Sequence, residues 1–278
     1  MNRTPPRSKP RVAPPAIPGY RFLYDIAVSA GAQIHLAYSE ELGHNVAIKL
    51  VPLGHSGAQG PTDADRFERE RDLMMRIRHP GVVDIYDWGD HAGFRYIATE
   101  YFPAGSLELR LRNLLSTHDV FDIFFQTAGA LRAVHGAGLA HRDLKPANVM
   151  LRANGEIVLI DFGLAKSVTE DAHLTNPGEI RGSPFYISPE QALGYHVDQR
   201  SDLYSLGVIL YEMLVGARPF VGKSVVSILA AHQNDPIPQL PERIARFQSL
   251  VDGLLAKDPQ QRIPTADKAL EIMAKIKA

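Results

Sequence analysis

Apolar residues change their spacing along this chain near residue 100, and two kinds of structure follow from the change. From Tyr20 to about Glu100 they gather in short runs of strand length, with one helical interruption. Gln33 to Tyr38 and Asn45 to Val51 read as antiparallel strands joined through Leu42-Gly43-His44-Asn45, and Arg95 to Tyr101 as a further strand. The interruption is residues 62–80, where Thr62 or Asp63 can cap a helix, acids fill its first turn and His79-Pro80 ends it. Beyond that, Phe121 to His135 carries an apolar stripe at 121, 124, 125, 128 and 131. Residues 203–216 are apolar on nearly every face, the pattern of a helix in the middle of a core. No internal repeat is present. The pattern predicts an α+β fold of two lobes: a small sheet-rich lobe over residues 19–101, then a larger helical lobe over 102–278, entered by a short connection near 102–106.

Residues 1–18 stand apart. They hold six prolines and four basic residues, and no acid occurs before Asp25. Such a segment buries too little apolar surface to order itself, so a disordered leader is expected, or a docking site for a partner that reads extended proline-rich chain. The 278 residues suffice for a real core, and a net charge of −1 gives no pull toward nucleic acid or acidic membranes. With no cysteine, disulfides, thiolate catalysis and cysteine zinc sites are excluded. The greasiest segment, 203–216, contains Glu212 and falls short of the roughly 20 apolar residues a membrane span needs. The N-terminus lacks the apolar core of a secretory signal, so a cytoplasmic protein with no membrane contact within this chain is expected.

The chemistry begins at a hairpin, residues 148–161, NVMLRANGEIVLID. Asn154-Gly155 is a strong two-residue turn signal. A turn there sets Asn148 opposite Asp161, with Met150 on the same strand face as Asn148. An amide oxygen and a carboxylate side by side suit a hard cation such as Mg²⁺; alternatively, each residue merely caps its own strand end. Lys49 shares a strand face with Ala47 and Val51, an odd place for an ammonium unless it points at an anion. In the helix of residues 62–80, Glu70 is an acid on the apolar face, and a buried acid needs a cation, for which Lys49 is the candidate.

The segments around these residues resemble a known family. HRDLKPAN (141–148) and DFG (161–163) are similar to the catalytic-loop and metal-binding signatures of eukaryotic-like protein kinases, and VAIK (46–49) to their third-strand lysine motif. The resemblance runs from about Tyr20 to the end. It implies Ser/Thr phosphorylation of protein substrates by ATP with Mg²⁺, in a bilobal protein kinase fold of the bacterial type, with no nucleic-acid partner. Asp143 and Lys145 would be catalytic, Asn148 and Asp161 would hold metal, and Lys49, steered by Glu70, would hold phosphates. Ile26, Ala27, Ile34, Ala47, Glu100, Phe102 and Met150 would surround the nucleotide, Glu100 to Phe102 through their backbone after Thr99. Lys145 accompanies serine and threonine kinases in this family.

GSPFYISPE (182–190) resembles the end of the activation segment. Ser188 there replaces a frequent alanine, a departure expected to matter little. Glu190 and Arg262 resemble a structural ion pair. Asp202 is either a helix cap or, by the resemblance, a brace for the catalytic loop. Arg142 before Asp143 implies phosphorylation between residues 164 and 188, by another copy of the chain, with Thr175 and Thr169 the first candidates. One motif is missing. The family's three loop glycines fall on Ala27, Ser29 and Ala32, which leaves a pseudokinase that signals by shape as the alternative.

Overall fold

The computed structural model describes residues 14–28, 32–53, 75, 77–161 and 184–277. The chain forms two units, one of residues 1–57 with 84–101 and one of 58–83 with 102–278. The first is an antiparallel five-stranded sheet: β1 (Tyr20–Val28), β2 (Gln33–Ser39), β3 (His44–Pro52), β4 (Ile85–His91) and β5 (Phe94–Glu100), in the order β1-β2-β3-β5-β4. The β2–β3 connection sits a little before the expected place, with Gly43 at φ 70° donating back to Ser39 O.

Register sorts the sheet's residues into two faces, because directly opposed residues point the same way. On one face lie Ala27, Ile34, Lys49 and Ile97, with Leu36, Ala47 and Thr99 beside them. The other face is apolar: Ala37, Val46, Ile48, Leu50 and Ala98 are fully buried, flanked by Tyr20, Phe22, Phe94 and Tyr96. At its edge Asp87 Oδ2 accepts from the Tyr20 and Tyr96 hydroxyls at 2.8 and 3.0 Å, tying β1, β4 and β5 together. Burial, with the carboxylate bond, pushes the Tyr96 phenol up to about 12.

Ile17 belongs to this apolar layer and is only 3% exposed. The reading of residues 1–18 as one unordered leader therefore fails at its end. Pro18 and Gly19 make a turn closed by Tyr20 N–H donating to Ile17 O, which folds the isoleucine under the sheet. Of the helix predicted over 62–80, only Met75 and Ile77 to Pro80 lie within the described residues, and none of these is helical.

The second unit is helical, with helices α1 (Leu107–Arg110), α2 (Thr117–Gly136), α3 (Pro189–Ala192), α4 (Gln199–Val215), α5 (Val225–Asn234), α6 (Gln248–Leu255) and α7 (Ala266–Lys277) among the described residues. The predicted stripe of 121–135 lies in α2. The helix starts earlier because Ser116 and Asp119 form a reciprocal cap, each side chain bonding the other's backbone N–H. In α4 every residue from Ser201 to Tyr211 is buried, as its uniform apolarity predicts. Asp198 caps α4, and Gly216 closes it at φ 76°, a left-handed position that glycine occupies without strain. A small hairpin, β6 (Val149–Leu151) and β7 (Ile157–Leu159), lies in this unit. Val82 bridges Leu159 and Ser106 bridges Met150, so the hairpin is flanked on both sides. No helix among the described residues is long and apolar enough to cross a membrane.

Glu190 and Arg262 form a buried fork, Nη1 to Oε1 at 2.7 Å and Nη2 to Oε2 at 2.9 Å, with the Ser201 hydroxyl donating to Oε1. Burial alone would push the carboxyl up, but the Arg262 bonds and charge, with Ser201, hold it below its ordinary 4.5. A depressed native value means that the pair's stabilisation is complete above pH 4.5 and is lost as pH falls through that native value. Removing one partner of a buried pair strands the other, so Arg262→Ala should cost about 3–5 kcal/mol. Glu190→Gln should flatten the acid limb of the unfolding midpoint against pH. Denaturant titration across the acid range checks both; an unchanged acid limb in Glu190→Gln refutes the assignment.

Candidate active site

The catalytic loop is held from below by one side chain. Asp202, on α4 and 1% exposed, accepts the backbone N–H of His141 at 2.8 Å and that of Arg142 at 2.8 Å. His135, at the end of α2, contacts the same carboxylate through Nε2 at 2.8 Å. The helix-cap alternative for Asp202 is excluded, since the cap is Asp198, whose Oδ1 accepts from Arg200 N–H. Arg142 is thereby fixed at φ 64°, a backbone state costly for a residue with a Cβ and kept only where the surroundings impose it.

His141 carries the order upward. Burial holds this imidazole below its ordinary 6.5, against the opposing pull of Asp202 and Asp143. The neutral ring then has one donor and one acceptor, and both are used. Nε2–H donates to Ile160 O at 3.0 Å, and Nδ1 accepts Asp143 N–H at 3.3 Å. Asp143 Oδ2 receives Lys145 Nζ at 2.7 Å and Asn148 Nδ2 at 3.1 Å; the same Asn148 nitrogen donates to Asp143 O at 2.8 Å. Asp143, Lys145 and Asn148 thus form one hydrogen-bonded cluster. Committing the Asn148 nitrogen to Asp143 turns its amide oxygen outward.

The hairpin register differs from the sequence reading. Val149 pairs with Leu159, Met150 with Val158 and Leu151 with Ile157, one residue out of the expected ladder. Gly155 N–H donates to Arg152 O, Arg152 N–H donates to Glu156 O, and Gly155 stands at φ 86°. The loop is therefore three residues closed by a left-handed glycine, not a two-residue turn. Asn148 ends a 3-10 turn (Pro146–Asn148) before the strand begins, so it shares no strand face with Met150. Ile160, not Asp161, bonds across to Asn148 O. Asp161 comes one residue later at φ 56°, a second strained non-glycine. Strain brings the carboxylate to this position; cross-strand pairing does not.

In the sheet unit, register gathers Ala27, Ile34, Ala47 and Lys49 on one face. Ile26 is the extra residue of a β-bulge, so Ile26 and Ala27 together oppose Ile34. Glu100 pairs with Val46, which directs its side chain to the opposite face and leaves its backbone as the contribution. Phe102, in the helical unit, is buried and its carbonyl accepts from Gly105 N–H; Met150, also there, is half-buried. Glu70, Ser29, Phe162, Gly163 and residues 164–183, including Thr169 and Thr175, lie outside the described residues.

Ser188 is a correction. It is fully buried and caps α3 in a reciprocal arrangement with Gln191, whose Nε2 then donates to Arg142 O at 2.8 Å. Alanine could make no such cap, so this residue matters to the loop. Gln191, His135 and His141 were all missed by the sequence reading. A serine three before a glutamine was the visible signal for the first; nothing local marks His135, whose partner is 67 residues away, whereas His141 opens the quoted HRDLKPAN segment and bonds both Asp143 nearby and Ile160 19 residues on.

Residues 28–273 match the protein kinase domain family. The chain is 32% identical over 277 residues to the serine/threonine-protein kinase PknA of Mycobacterium tuberculosis, covering 97% of this chain and 64% of that one. It is 36% identical to PknB of Mycobacterium leprae, covering 91% and 42%, and 34% identical to the serine/threonine-protein kinase drp72 of Corynebacterium efficiens, covering 100% and 54%. The chain belongs to the protein kinase family, of the bacterial Ser/Thr type with the bilobal fold. It spans less than two thirds of the length of these relatives.

Asp202→Asn replaces an acceptor of two backbone N–H groups by an amide with one oxygen. We expect amide exchange at His141 and Arg142 to accelerate, and stability to fall by about 1–3 kcal/mol as a buried donor loses its partner. Exchange measured by NMR decides, and parental protection at both amides would remove the brace.

Proposed function

We propose that the chain transfers the γ-phosphoryl group of ATP to serine and threonine hydroxyls of proteins, a second copy of itself included, with Mg²⁺ as the metal. The observation that carries this reading is the Asp143–Lys145–Asn148 cluster, with Asp161 strained into place one residue beyond Ile160. The residues fit the metal. The Asp161 carboxylate and the outward Asn148 oxygen are hard donors of the kind Mg²⁺ takes, few in number and shared with phosphate oxygens. ATP supplies the phosphoryl group, and the cation screens its charge.

The chain's own groups do the rest by position and charge. Asp143 accepts the proton of the acceptor hydroxyl, and its neighbours hold it pointed at that proton. Lys145, which in this structure rests on Asp143, moves its ammonium to the phosphoryl oxygens as negative charge develops there. Lys49 holds α and β phosphates from the sheet face it shares with Ala27, Ile34 and Ala47, with Glu70 as its partner. Glu100 and Phe102 offer backbone to the adenine, and Ile26 and Met150 apolar surface. ATP as substrate implies a compartment that supplies it, the cytoplasm.

The glycine-poor loop bears on phosphate binding. Ala27 lies within β1, in extended backbone, so glycine's conformational freedom is not required there. What alanine adds there is the bulk of a Cβ. The loop is thus compatible with turnover, at a cost in affinity.

Incubation with labelled ATP and Mg²⁺, alone and with a generic basic protein, tests the reading directly. Asp161→Asn and Lys49→Ala should each lower turnover on the order of 10²-fold or more while leaving the fold intact. Turnover within about threefold of the parent in a folded variant sinks the assignment.

The combined change Ala27→Gly, Ser29→Gly and Ala32→Gly should tighten Mg²⁺-ATP binding about five- to thirtyfold, the equivalent of one or two recovered hydrogen bonds. Calorimetric titration of parent and variant checks it. Absence of binding by both at millimolar nucleotide establishes the pseudokinase instead.

A further inference from the structure

The apolar face of the sheet contains an ionisable ring that phosphoryl transfer does not use. His35, in β2, is 2% exposed on the face that packs Ile48 and Leu50. Its Nδ1 lies 3.0 Å from Asp25 Oδ1, and its Nε2 lies 3.1 Å from Gln33 Oε1. Both ring nitrogens are thus engaged, one across to β1 and one along β2. The Phe22 ring meets it edge-on at 5.2 Å, and β3 presents Ile48 opposite it. A polar ring in an apolar layer needs such partners.

The pair sits at a place with consequences for the other face. Asp25 opposes His35, and the next pair is Ala27 with Ile34, Ile26 being the bulged residue. Without the bulge, Ile26 would oppose Ile34, and Ala27 would oppose Gln33 on the apolar face. The bulge is what delivers Ala27 to the face of Lys49.

We propose that His35 and Asp25, with Gln33, are positioning residues for the nucleotide: their clasp pins β1 to β2 at the residue before the bulge and so sets where Ala27 meets Ile34 and Lys49. The inference rests on reading the Lys49 face as the face that receives ATP. Neither His35 nor Asp25 touches substrate; both act through the backbone of Ile26 and Ala27.

The test is steady-state kinetics with Mg²⁺-ATP and a generic basic protein. The parent, His35→Leu, Asp25→Ala and His35→Gln are compared, each checked for folding by thermal unfolding. His35→Leu and Asp25→Ala, which remove the clasp, should raise KM for ATP about three- to tenfold with a smaller fall in kcat. His35→Gln, which keeps a donor for Asp25, should recover part of the affinity. A folded His35→Leu with the parent's KM overturns the proposal. So do Ala27 and Ile34 amides with parental hydrogen exchange in folded Asp25→Ala, since the clasp would then not hold the bulge. Failure of the underlying reading looks different: Lys49→Ala would then turn over normally whatever His35 does.

Discussion

Asp202 sets the constraint on which the helical unit's chemistry depends. A carboxylate buried at 1% exposure has to spend its lone pairs, and it spends them on two consecutive backbone N–H groups and an imidazole. That geometry twists Arg142 into a left-handed state, and His141, Asp143, Lys145 and Asn148 follow in a connected series of bonds. Gln191 holds the next peptide along through Arg142 O. The loop's strained shape is held by supports buried in packed helices, not by a preference of its own residues.

The sequence reading recovered what local pattern encodes. Strands around Lys49, the striped helix at 121–135 and the all-apolar helix at 203–216 follow from spacing alone. The hairpin register did not, because Asn-Gly serves both a two-residue turn and a three-residue loop, with Gly155 left-handed in each. The inference that Asn148 and Asp161 act together was drawn from the wrong ladder, and it now rests on the surrounding motifs alone. Long-range partners were the real limit. Nothing near Asp202 names His135, and nothing near Ser188 names Arg142. Ile17 was passed over because proline-rich composition outweighed one isoleucine.

The two units divide the charge between them. The sheet presents a cation, Lys49, on a face otherwise lined by Ala27, Ile34, Ala47 and Ile97. The helical unit presents the carboxylates of Asp143 and Asp161, the first of them capped by Lys145. A net charge of −1 for the chain conceals this separation. Electrostatics in such a protein is local, set by which face or loop a charge stands on.

The burial of Ile17 bears on what counts as the domain. The stretch that matches the protein kinase domain family as a whole begins at residue 28, the last residue of β1, although individual relatives align further toward the N-terminus. The packed layer of the sheet begins with Ile17. A family-wide match marks what all members share; burial marks where removing chain uncovers oil to water. The two edges do not coincide here. A domain cut at the aligned edge would lose a strand and the residue that closes its apolar layer, and its poor behaviour in solution would be misread as a defect of the kinase itself.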